Sequence, residues 1–538
     1  RFTFNTVDFE AALIIGLRPI LKKADWEGRD FAASSIEPFV ASGPYVLGDF
    51  EPGRFISFER NPDYWGRALP FNAGRHNVDE IRYDFYGDGG VIFEAFKAGE
   101  FSTFREGNAG KWETEYDFPA IQEGRIVKSE IPHQRPSGIR GFVMNTRNPL
   151  FADWRVRDAL IHAFNFEFIN QTVNGGTAPR IASYFSNSVL GMGDGPADSN
   201  VATLLAPFKE ELVPGALDAY ALPVASGGER NRTNTAHAVS LLAEAGWTVQ
   251  DGVLKNAEGE PFAFEILLKT ASVENEAIIN IYVDGLKRIG IFPDVVRVDS
   301  PQHKERVTNY DFDMVYYWRG LSLSPGNEQR LYWGSEGVTK PGTRNYMGLD
   351  SPAAEAMIDA ILSADSQQGF VDATRALDRV LTTGRYVIPL WHSPVSRLAH
   401  KSELHYPDRL PIYGDWIAFL PDVWWVAYPA QPSENDAAGG GIEPPWRPSA
   451  GADAGATLIQ GHNVVGLFAG TISAMPGGRA LTTIDRPPPG LTPGGSGFFG
   501  LARKTPFSLG GACEALTATK VRLLFPRAGR SRSFCHKP

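Results

Sequence analysis

A chain of 538 residues is too long for a single hydrophobic core, so its length predicts two or three lobes. A hydrophobic content of 43% with a mean hydropathy of −0.21 is typical of a soluble globular protein, and no apolar run approaches the length of a membrane span. The formal net charge of −10 argues against nucleic-acid binding over most of the chain, because only residues 431–538 are basic, with 11 Lys and Arg against 6 Asp and Glu.

The first 40 residues begin partway through a secondary-structure pattern. Phe2-Thr3-Phe4 reads as the end of a strand with no partner before it, and the chain starts at Arg1 with no export signal. We therefore expect residues 1–40 to be the remnant of a small extra lobe.

A β-hairpin with an aromatic exit loop is predicted next. Gly43-Pro44-Tyr45 leads into one strand, Glu51-Pro52-Gly53 forms the turn, and alternating residues from Phe55 to Arg60 form the second strand. Asn61-Pro62-Asp63 then ends the strand before the aromatic pair Tyr64-Trp65.

Helix and strand patterns alternate along the rest of the body. A helix is predicted over 151–164 with Asp153 as its N-cap, and a second from about Ala236 to Gly246. A third helix buries Ile278, Ile281, Tyr282, Leu286 and Ile289. Strands are predicted at 262–268, 291–298 and 312–317. This alternation favours α/β lobes with mostly parallel sheets.

The composition changes abruptly at residue 431. Residues 431–538 are rich in Gly and Pro and lack amphipathic periodicity, which predicts a disordered or frame-shifted tail. Both cysteines, Cys513 and Cys535, lie in this tail. The body therefore has neither a disulfide framework nor a thiolate metal site.

The amino-acid sequences of four segments of the body together resemble those of a known protein family. They are Gly43-Pro44-Tyr45 through Tyr64-Trp65, Glu94 through Glu100, Phe142 through Leu160, and Leu241 through Pro261. In order and spacing this series resembles the family 5 extracellular solute-binding proteins, the peptide-capturing receptors of bacterial ABC importers. The phrase Ser322-Leu-Ser-Pro-Gly-Asn-Glu-Gln329 looks most like the YejA-like subgroup, which is associated with oligopeptide and microcin C uptake.

The resemblance implies a two-lobed periplasmic binding protein type II architecture of the large family 5 type. On that basis we expect part of lobe I at 41–140, lobe II at 141–400, and a return segment into lobe I at 401–430. Family members carry well over a hundred residues before the Gly-Pro-Tyr segment, where this chain has about 40. The first lobe is therefore expected to be incomplete.

No catalytic constellation is visible. The sequence contains no H-E-x-x-H, no Walker loop and no G-x-S-x-G. The histidines, among them His133, His162, His303 and His392, never pair at ligand spacing, so neither a metal site nor a cofactor is expected. A glycosidase-like carboxylate pair is not excluded among 62 acidic residues, but no pair stands out.

Candidate ligand-binding residues cluster around the end of the strand 312–317. Ligands in open α/β lobes sit beyond the carboxyl ends of strands, and Tyr316, Tyr317 and Trp318 offer contact area there. Strand alternation predicts that one of the two tyrosines faces the core instead. Arg319 and Arg344 are suited to hold a carboxylate or phosphate.

Further candidates come from the neighbouring loops. The resemblance implies an aspartate after this strand that anchors the peptide ammonium group, whereas here the loop carries Asn327 and Glu328 as the candidates. Arg135 precedes a strand where the chain is expected to cross between lobes. Trp333 and Trp391 complete the set as possible pocket residues.

These observations favour a monomeric periplasmic binding protein that closes its lobes around an extended peptide or peptide-like ligand. Its implied partners are a membrane permease and its ATPase, with no covalent chemistry and no nucleic acid. Two rivals stay open. One is a solute-sensing domain of a regulator, and the other is a peptide or glycoside hydrolase on an α/β scaffold.

Overall fold

The computed structural model describes residues 20–31, 37–86, 89–270, 273–415, 419–427 and 519–524, together with residues 3, 15, 16 and 18. Its strands are β1 Tyr45–Glu51, β2 Phe55–Arg60, β3 Glu80–Phe85, β4 Thr103–Glu106, β5 Ile126–Pro132, β6 Ile139–Met144, β7 Thr248–Gln250, β8 Val253–Lys255, β9 Glu265–Lys269, β10 Asp294–Val298, β11 Met314–Arg319, β12 Val387–Pro389, β13 Val395–Lys401, β14 Leu404–His405, β15 Trp425–Val426 and β16 Thr519–Leu524.

The α-helices are α1 Lys23–Trp26, α2 Gly89–Lys97, α3 Ala109–Thr114, α4 Pro119–Gln122, α5 Trp154–Ala163, α6 Phe166–Asn174, α7 Ser199–Leu205, α8 Arg232–Glu244, α9 Val273–Lys287, α10 Ser300–Thr308, α11 Glu328–Trp333, α12 Pro352–Ser363 and α13 Gln367–Thr383, with a kinked turn at Phe419–Asp422. Short 3₁₀ turns lie at Pro70–Asn72, Pro149–Phe151, Ala206–Phe208 and Ser335–Val338. No helix in the described ranges is long and apolar enough to cross a membrane.

The largest sheet has five strands in the order β10-β9-β11-β6-β12. β10, β9 and β11 run parallel, whereas β6 is antiparallel to both of its neighbours, β11 and β12. The expected mostly parallel sheet is therefore a mixed one, because β6 enters it from the opposite direction. We refer to this sheet and the helices packed on it as the five-stranded body.

Both faces of the five-stranded sheet are covered by apolar layers. Successive residues of one strand, such as Phe142 and Val143, point to opposite faces of the sheet and belong to different apolar clusters. One layer comes mainly from α5, α6, α8 and α9, and the other mainly from α7, α11, α12 and α13. Each large side chain buried in this way stabilises the fold by roughly 1.5–3 kcal/mol.

Local signals explain where several helices begin. The Asp153 carboxylate accepts a hydrogen bond from the Arg155 N–H at 2.8 Å, which confirms the expected cap of α5. Ser366 caps α13 in the same way, and α6 ends at Gly175 in the left-handed conformation. α8 starts at Arg232, four residues before the expected position, because its first turn is polar and carries no apolar signal.

A second sheet has three antiparallel strands in the order β4-β13-β5. One side packs an aromatic cluster that includes Phe96, Phe104 and Trp112, whereas Leu398 of β13 packs with Trp424 in another cluster. We call this sheet with its helices α2, α3 and α4 the three-stranded body. β13 lies inside it, so the lobe boundary expected at residue 400 falls within a strand of this sheet and not between the two sheets.

The expected hairpin is present as β1 and β2, and Gly53 in its turn has a φ of +77°. β2 pairs with β3, and β3 pairs on its other side with β16, antiparallel from Phe85↔Thr519 to Glu80↔Leu524. Residues 519–524 therefore form a strand and differ from the structureless tail that the composition predicts. The other tail residues lie outside the described ranges, as does half of the segment 1–40.

Candidate functional site

Two short connecting segments join the two bodies. Residues 133–138 link β5 to β6, and residues 390–394 link β12 to β13. The segments are fixed to each other and to their neighbours by backbone hydrogen bonds, including His133 N–H to Pro394 C=O at 3.1 Å and Leu390 N–H to Arg140 C=O at 2.8 Å. Both bodies therefore meet at this pair of segments.

A small cavity lies beside these segments and takes its walls from both bodies. Gly107, Ala109 and Arg397 come from the three-stranded body and its adjoining loop. The five-stranded body and the second connecting segment contribute Arg140, Asn174, Ala178, Pro179, Trp391, His392 and Ser393. We call this cavity the junction pocket. Trp391 is the one sequence-predicted site residue that lines it.

Arg140 holds the Trp391 wall of the junction pocket in place. Its guanidinium carbon lies 5.0 Å from the centre of the Trp391 ring, a cation–π contact. Arg140 Nη2 donates to Glu274 Oε1 at 2.6 Å, and Nε donates to the Tyr316 hydroxyl at 3.3 Å. The structure therefore brings Tyr316 and Trp391 together through an arginine that the sequence did not single out.

A second small cavity also includes Arg140 in its wall. It is mainly apolar, and Tyr184, Tyr220 and Tyr386 line it. Burial raises the pKa of all three phenols, that of Tyr220 to about 12, so they stay protonated at neutral pH. The Tyr184 hydroxyl is buried without a hydrogen-bond partner among the described residues.

The predicted residues at the end of β11 form a cationic and aromatic group. Arg319 Nε donates to the Tyr317 hydroxyl, and its guanidinium carbon lies 4.0 Å above the Tyr332 ring. Burial raises the pKa of Tyr317, and the positive charges of Arg319 and Arg344 oppose that rise. Neither arginine has an ion pair with a carboxylate in the part of the chain that the structure describes.

The sequence predicts that only one of Tyr316 and Tyr317 faces the core, and the structure differs from that prediction. Tyr316 packs on one apolar layer, with its ring 5.9 Å from Phe142, and Tyr317 packs on the other, 4.7 Å from Tyr346. Both are half-buried because the sheet is covered on both faces. Trp318, opposite Arg140 in the β11–β6 register, is also half-buried.

The candidate ligand-binding residues in and after the loop that follows β11 are less available to a ligand. Trp333 is 1% exposed, donates from Nε1 to Gln329 at 2.8 Å, and packs against Tyr184, so it is a core residue and not a pocket residue. Glu328 accepts from the Gly326 N–H and from Gln329 Nε2 at about 3.0 Å, which holds its carboxylate within the loop. Asn327 is exposed at the start of α11.

Arg135 belongs to a charged cluster between the two bodies. Its Nη2 donates to Ser396 Oγ at 2.9 Å and its Nη1 to the Tyr413 C=O at 3.3 Å, and the fully buried Asp415 side chain lies 3.8 Å away. Arg105 forms a closer ion pair with the same carboxylate. Sequence reasoning missed Arg105 and Asp415, because nothing in a chain with 62 acidic residues distinguishes one whose partner lies so far away along the chain.

The connecting segments also hold two histidines. Burial and the neighbouring Arg135 charge lower the pKa of His133 to about 4. Burial also lowers the pKa of His392. Both rings are therefore neutral at pH 7. Within the described ranges, no three His, Cys, Asp or Glu side chains lie close enough to hold a metal ion.

One glycine ties the first connecting segment to the candidate arginine. Gly138 has a φ of +66°, and a Cβ built on it would lie 2.0 Å from the Arg319 carbonyl oxygen. Only glycine fits here, so the backbone of the connecting segment touches the end of β11 directly.

Comparison with known proteins agrees with this architecture. The family described as bacterial extracellular solute-binding proteins, family 5, middle region, matches residues 1–340. A binding protein of Brucella melitensis is 39% identical over 431 residues, which cover 79% of this chain and 69% of that protein. YejA of Agrobacterium fabrum, named as a probable peptide-binding protein, is 36% identical over 436 residues, or 79% of this chain and 70% of that one.

Solved structures show the same fold. The oligopeptide-binding protein AppA of Bacillus subtilis, solved with a nonapeptide, superposes with a TM-score of 0.53 at 21% identity. The superposition covers 72% of this chain and 66% of that one. The architecture is therefore that of a family 5 periplasmic binding protein.

Proposed function

Because the chain belongs to the bacterial extracellular solute-binding proteins of family 5, we propose that it captures a peptide or peptide-like solute in the periplasm. Proteins of this family bind a solute, serve ABC transporters and are not enzymes. In this proposal the three-stranded and five-stranded bodies are the two lobes, and they enclose the ligand and deliver it to a membrane permease and its ATPase.

The observation that carries the proposal is the junction pocket, because both bodies supply its walls and, within the described ranges, two short segments connect them. A bend in residues 133–138 and 390–394 changes the distance between the bodies and leaves the hydrogen bonds within each sheet intact. We place the hinge in these segments, with lobe I at 41–132 and 395–427 and lobe II between them.

Each of the remaining candidate groups has a role in this proposal. Arg319 and Arg344 bind a negatively charged part of the ligand, because neither is paired with a described carboxylate. The tyrosine-lined cavity accepts an apolar side chain, since it adjoins the junction pocket at Arg140. Glu328 contributes little, because its carboxylate is already occupied by the loop.

Ligand-induced stabilisation tests the proposal. A pool of random synthetic tetrapeptides at a hundred times the dissociation constant is expected to stabilise the protein by about 2.7 kcal/mol, which is measurable as a rise in Tm. A peptide–nucleotide conjugate such as microcin C is tested beside the pool to show whether conjugates also bind. If no peptide or conjugate raises the Tm, the proposed function is wrong.

The variant Arg319→Met tests the role of the β11 group. We expect it to weaken binding of the peptide pool about tenfold, because it removes a charged donor beside the ligand. Arg288→Met is the matched control, since Arg288 pairs with Glu229 on the surface and lies outside the group at the end of β11. Titration calorimetry on both variants gives the comparison. Equal affinities in the two variants would remove Arg319 from the site.

A further inference from the structure

Two histidine rings meet where helix α5 packs beside helix α8. The ring centres of His162 and His237 lie 4.5 Å apart, and the ring planes are tilted by 56°. His162 lies in the last turn of α5 and His237 in the second turn of α8, two helices that share one apolar layer. Neither histidine belongs to the junction pocket or to the group at the end of β11, so the proposed peptide site does not use this pair.

A backbone carbonyl fixes the proton position on the His162 ring. Its Nδ1 lies 2.9 Å from the Asp158 C=O, one helical turn earlier. A carbonyl oxygen can only accept, so Nδ1 donates and the lone pair of the neutral ring lies on Nε2. Histidines that bind metal ions are oriented by the same kind of bond from the other ring nitrogen. His162 Nε2 is therefore prepared to act as a metal ligand.

The other ring nitrogens are available to an ion from solvent. Within the described ranges, His162 Nε2 and both nitrogens of His237 form no hydrogen bond or ion pair. His237 is exposed, and the His162 side chain is 16% exposed. The Asp158 carboxylate is held by Arg385, whose Nε lies 3.0 Å from Oδ2. An ion can therefore reach the two rings without any opening of the fold.

The distance between the rings is that of two imidazoles on one metal ion. An imidazole nitrogen binds a first-row transition metal at about 2.0–2.1 Å, and the ring centre lies roughly 1.1 Å beyond that nitrogen. Two such ligands at about 90° to each other have ring centres about 4.5 Å apart, as geometry requires. The observed separation is 4.5 Å. Ligands at this angle are typical of the tetragonal complexes of Ni²⁺ and Cu²⁺.

We propose that His162 and His237 bind one divalent transition-metal ion of the nickel or copper type. Imidazole nitrogen favours these ions over Mg²⁺ and Ca²⁺, which prefer oxygen ligands. The described residues supply no third His, Cys, Asp or Glu ligand, so water completes the coordination shell. The bound ion joins α5 to α8 on the five-stranded body. This site is independent of the proposed function, because it shares no residue with the peptide site.

Nickel titration of the full chain, produced without a histidine tag, tests the site. The protein is treated with EDTA and dialysed, and Cys513 and Cys535 are alkylated so that their thiolates do not bind the ion. We expect His237→Gln to weaken the tightest nickel binding at least tenfold by calorimetry at pH 7.5, because one of two ligands is lost. His405→Gln is the matched control, since His405 is also exposed but its ring lies against Trp425.

Copper gives a second readout that reports the ligands directly. With one equivalent of Cu²⁺, the electron paramagnetic resonance spectrum should show two imidazole nitrogens in the unmodified protein and in His405→Gln, but one in His237→Gln. An unchanged Tm of the metal-free variants shows that the fold is intact. Bound Ni²⁺ should raise the Tm of the unmodified protein more than that of His237→Gln.

The outcomes separate a metal site from simple ring packing. Equal nickel affinities in the unmodified protein and His237→Gln would overturn the site, and so would a copper spectrum that the substitution leaves unchanged. The two rings would then form a packing contact only. Peptide binding by His237→Gln is expected to equal that of the unmodified protein, so failure of the metal site leaves the proposed function in place.

Discussion

The two bodies are held together by different kinds of interaction. The five-stranded body is built from one continuous stretch, residues 139–390, and both faces of its sheet are sealed by apolar layers. The three-stranded body is assembled from strands as far apart as β4 and β13, and where it meets the other body it relies on the buried Asp415 and its two arginines. Stability therefore comes mainly from apolar packing in the first and depends more on charge at the edge of the second.

A substitution in the five-stranded core is expected to have the largest effect. Phe142→Ala removes a ring that packs against Phe164 and Tyr316, and it should lower the free energy of unfolding by about 3–5 kcal/mol. Urea unfolding followed by circular dichroism measures the loss. The control Phe292→Ala, at a position that is 53% exposed, should cost much less. Similar losses in both variants would refute the assignment of Phe142 to the core.

The charged cluster should give the next largest effect. Asp415→Asn leaves Arg105 and Arg135 without their shared carboxylate, and we expect a loss of about 3 kcal/mol in the free energy of unfolding. Asp294→Asn is the control, because Asp294 is exposed and forms no ion pair within the described ranges. If Asp415→Asn unfolds at the same urea concentration as the control, the cluster does not stabilise the junction.

The smallest expected effect is the pH dependence caused by His133. Its pKa is lowered to about 4 in the folded protein, so between pH 6.5 and 4 the unfolded chain binds more protons than the folded one. As the pH falls through that window, this histidine therefore lowers the free energy of unfolding. Above the window it has no effect on that free energy. We expect His133→Gln to reduce the pH-dependent change in unfolding free energy over that window. This reduction should be smaller than the loss of stability caused by either substitution above.

The difference between His133→Gln and the unmodified protein isolates this group from others that titrate nearby. Asp378, whose pKa burial raises to about 6, contributes in the opposite direction over an overlapping range. Its contribution is the same in both proteins and cancels in the difference. The urea midpoints of both proteins, measured at pH 5 and at pH 7.5, are sufficient to obtain this difference. Parallel pH profiles would contradict the burial of His133.

Sequence reasoning succeeded where short-range signals decide the structure. The turn at Gly53 and the cap at Asp153 depend on neighbours within a few residues, and both are present. The binding role of the residues at the end of β11 stays a prediction, made with a rule that needs only one strand, whereas Trp333 lies in the core because α11 turns it inward. The starts of β9, β10 and β11 lie two or three residues after the predicted ones.

The junction pocket could not be predicted in the same way. Arg140, Asn174 and Arg397 come from three distant parts of the chain, and long-range pairings such as that of β13 with β4 and β5 bring their segments together. That pairing depends on long-range contacts that leave no periodic signal. The polar groups that line this pocket were therefore ones that the sequence could not distinguish from ordinary surface residues.

The contact between Gly138 and the Arg319 carbonyl has a mechanical consequence. A side chain at residue 138 would force the two backbones apart, so glycine there keeps the end of β11 and the first connecting segment in register. A displacement of Arg319 toward a bound anion would consequently pull on the segment about which the lobes are proposed to rotate. Occupancy and closure would then be coupled through one backbone contact, without any intervening side chain.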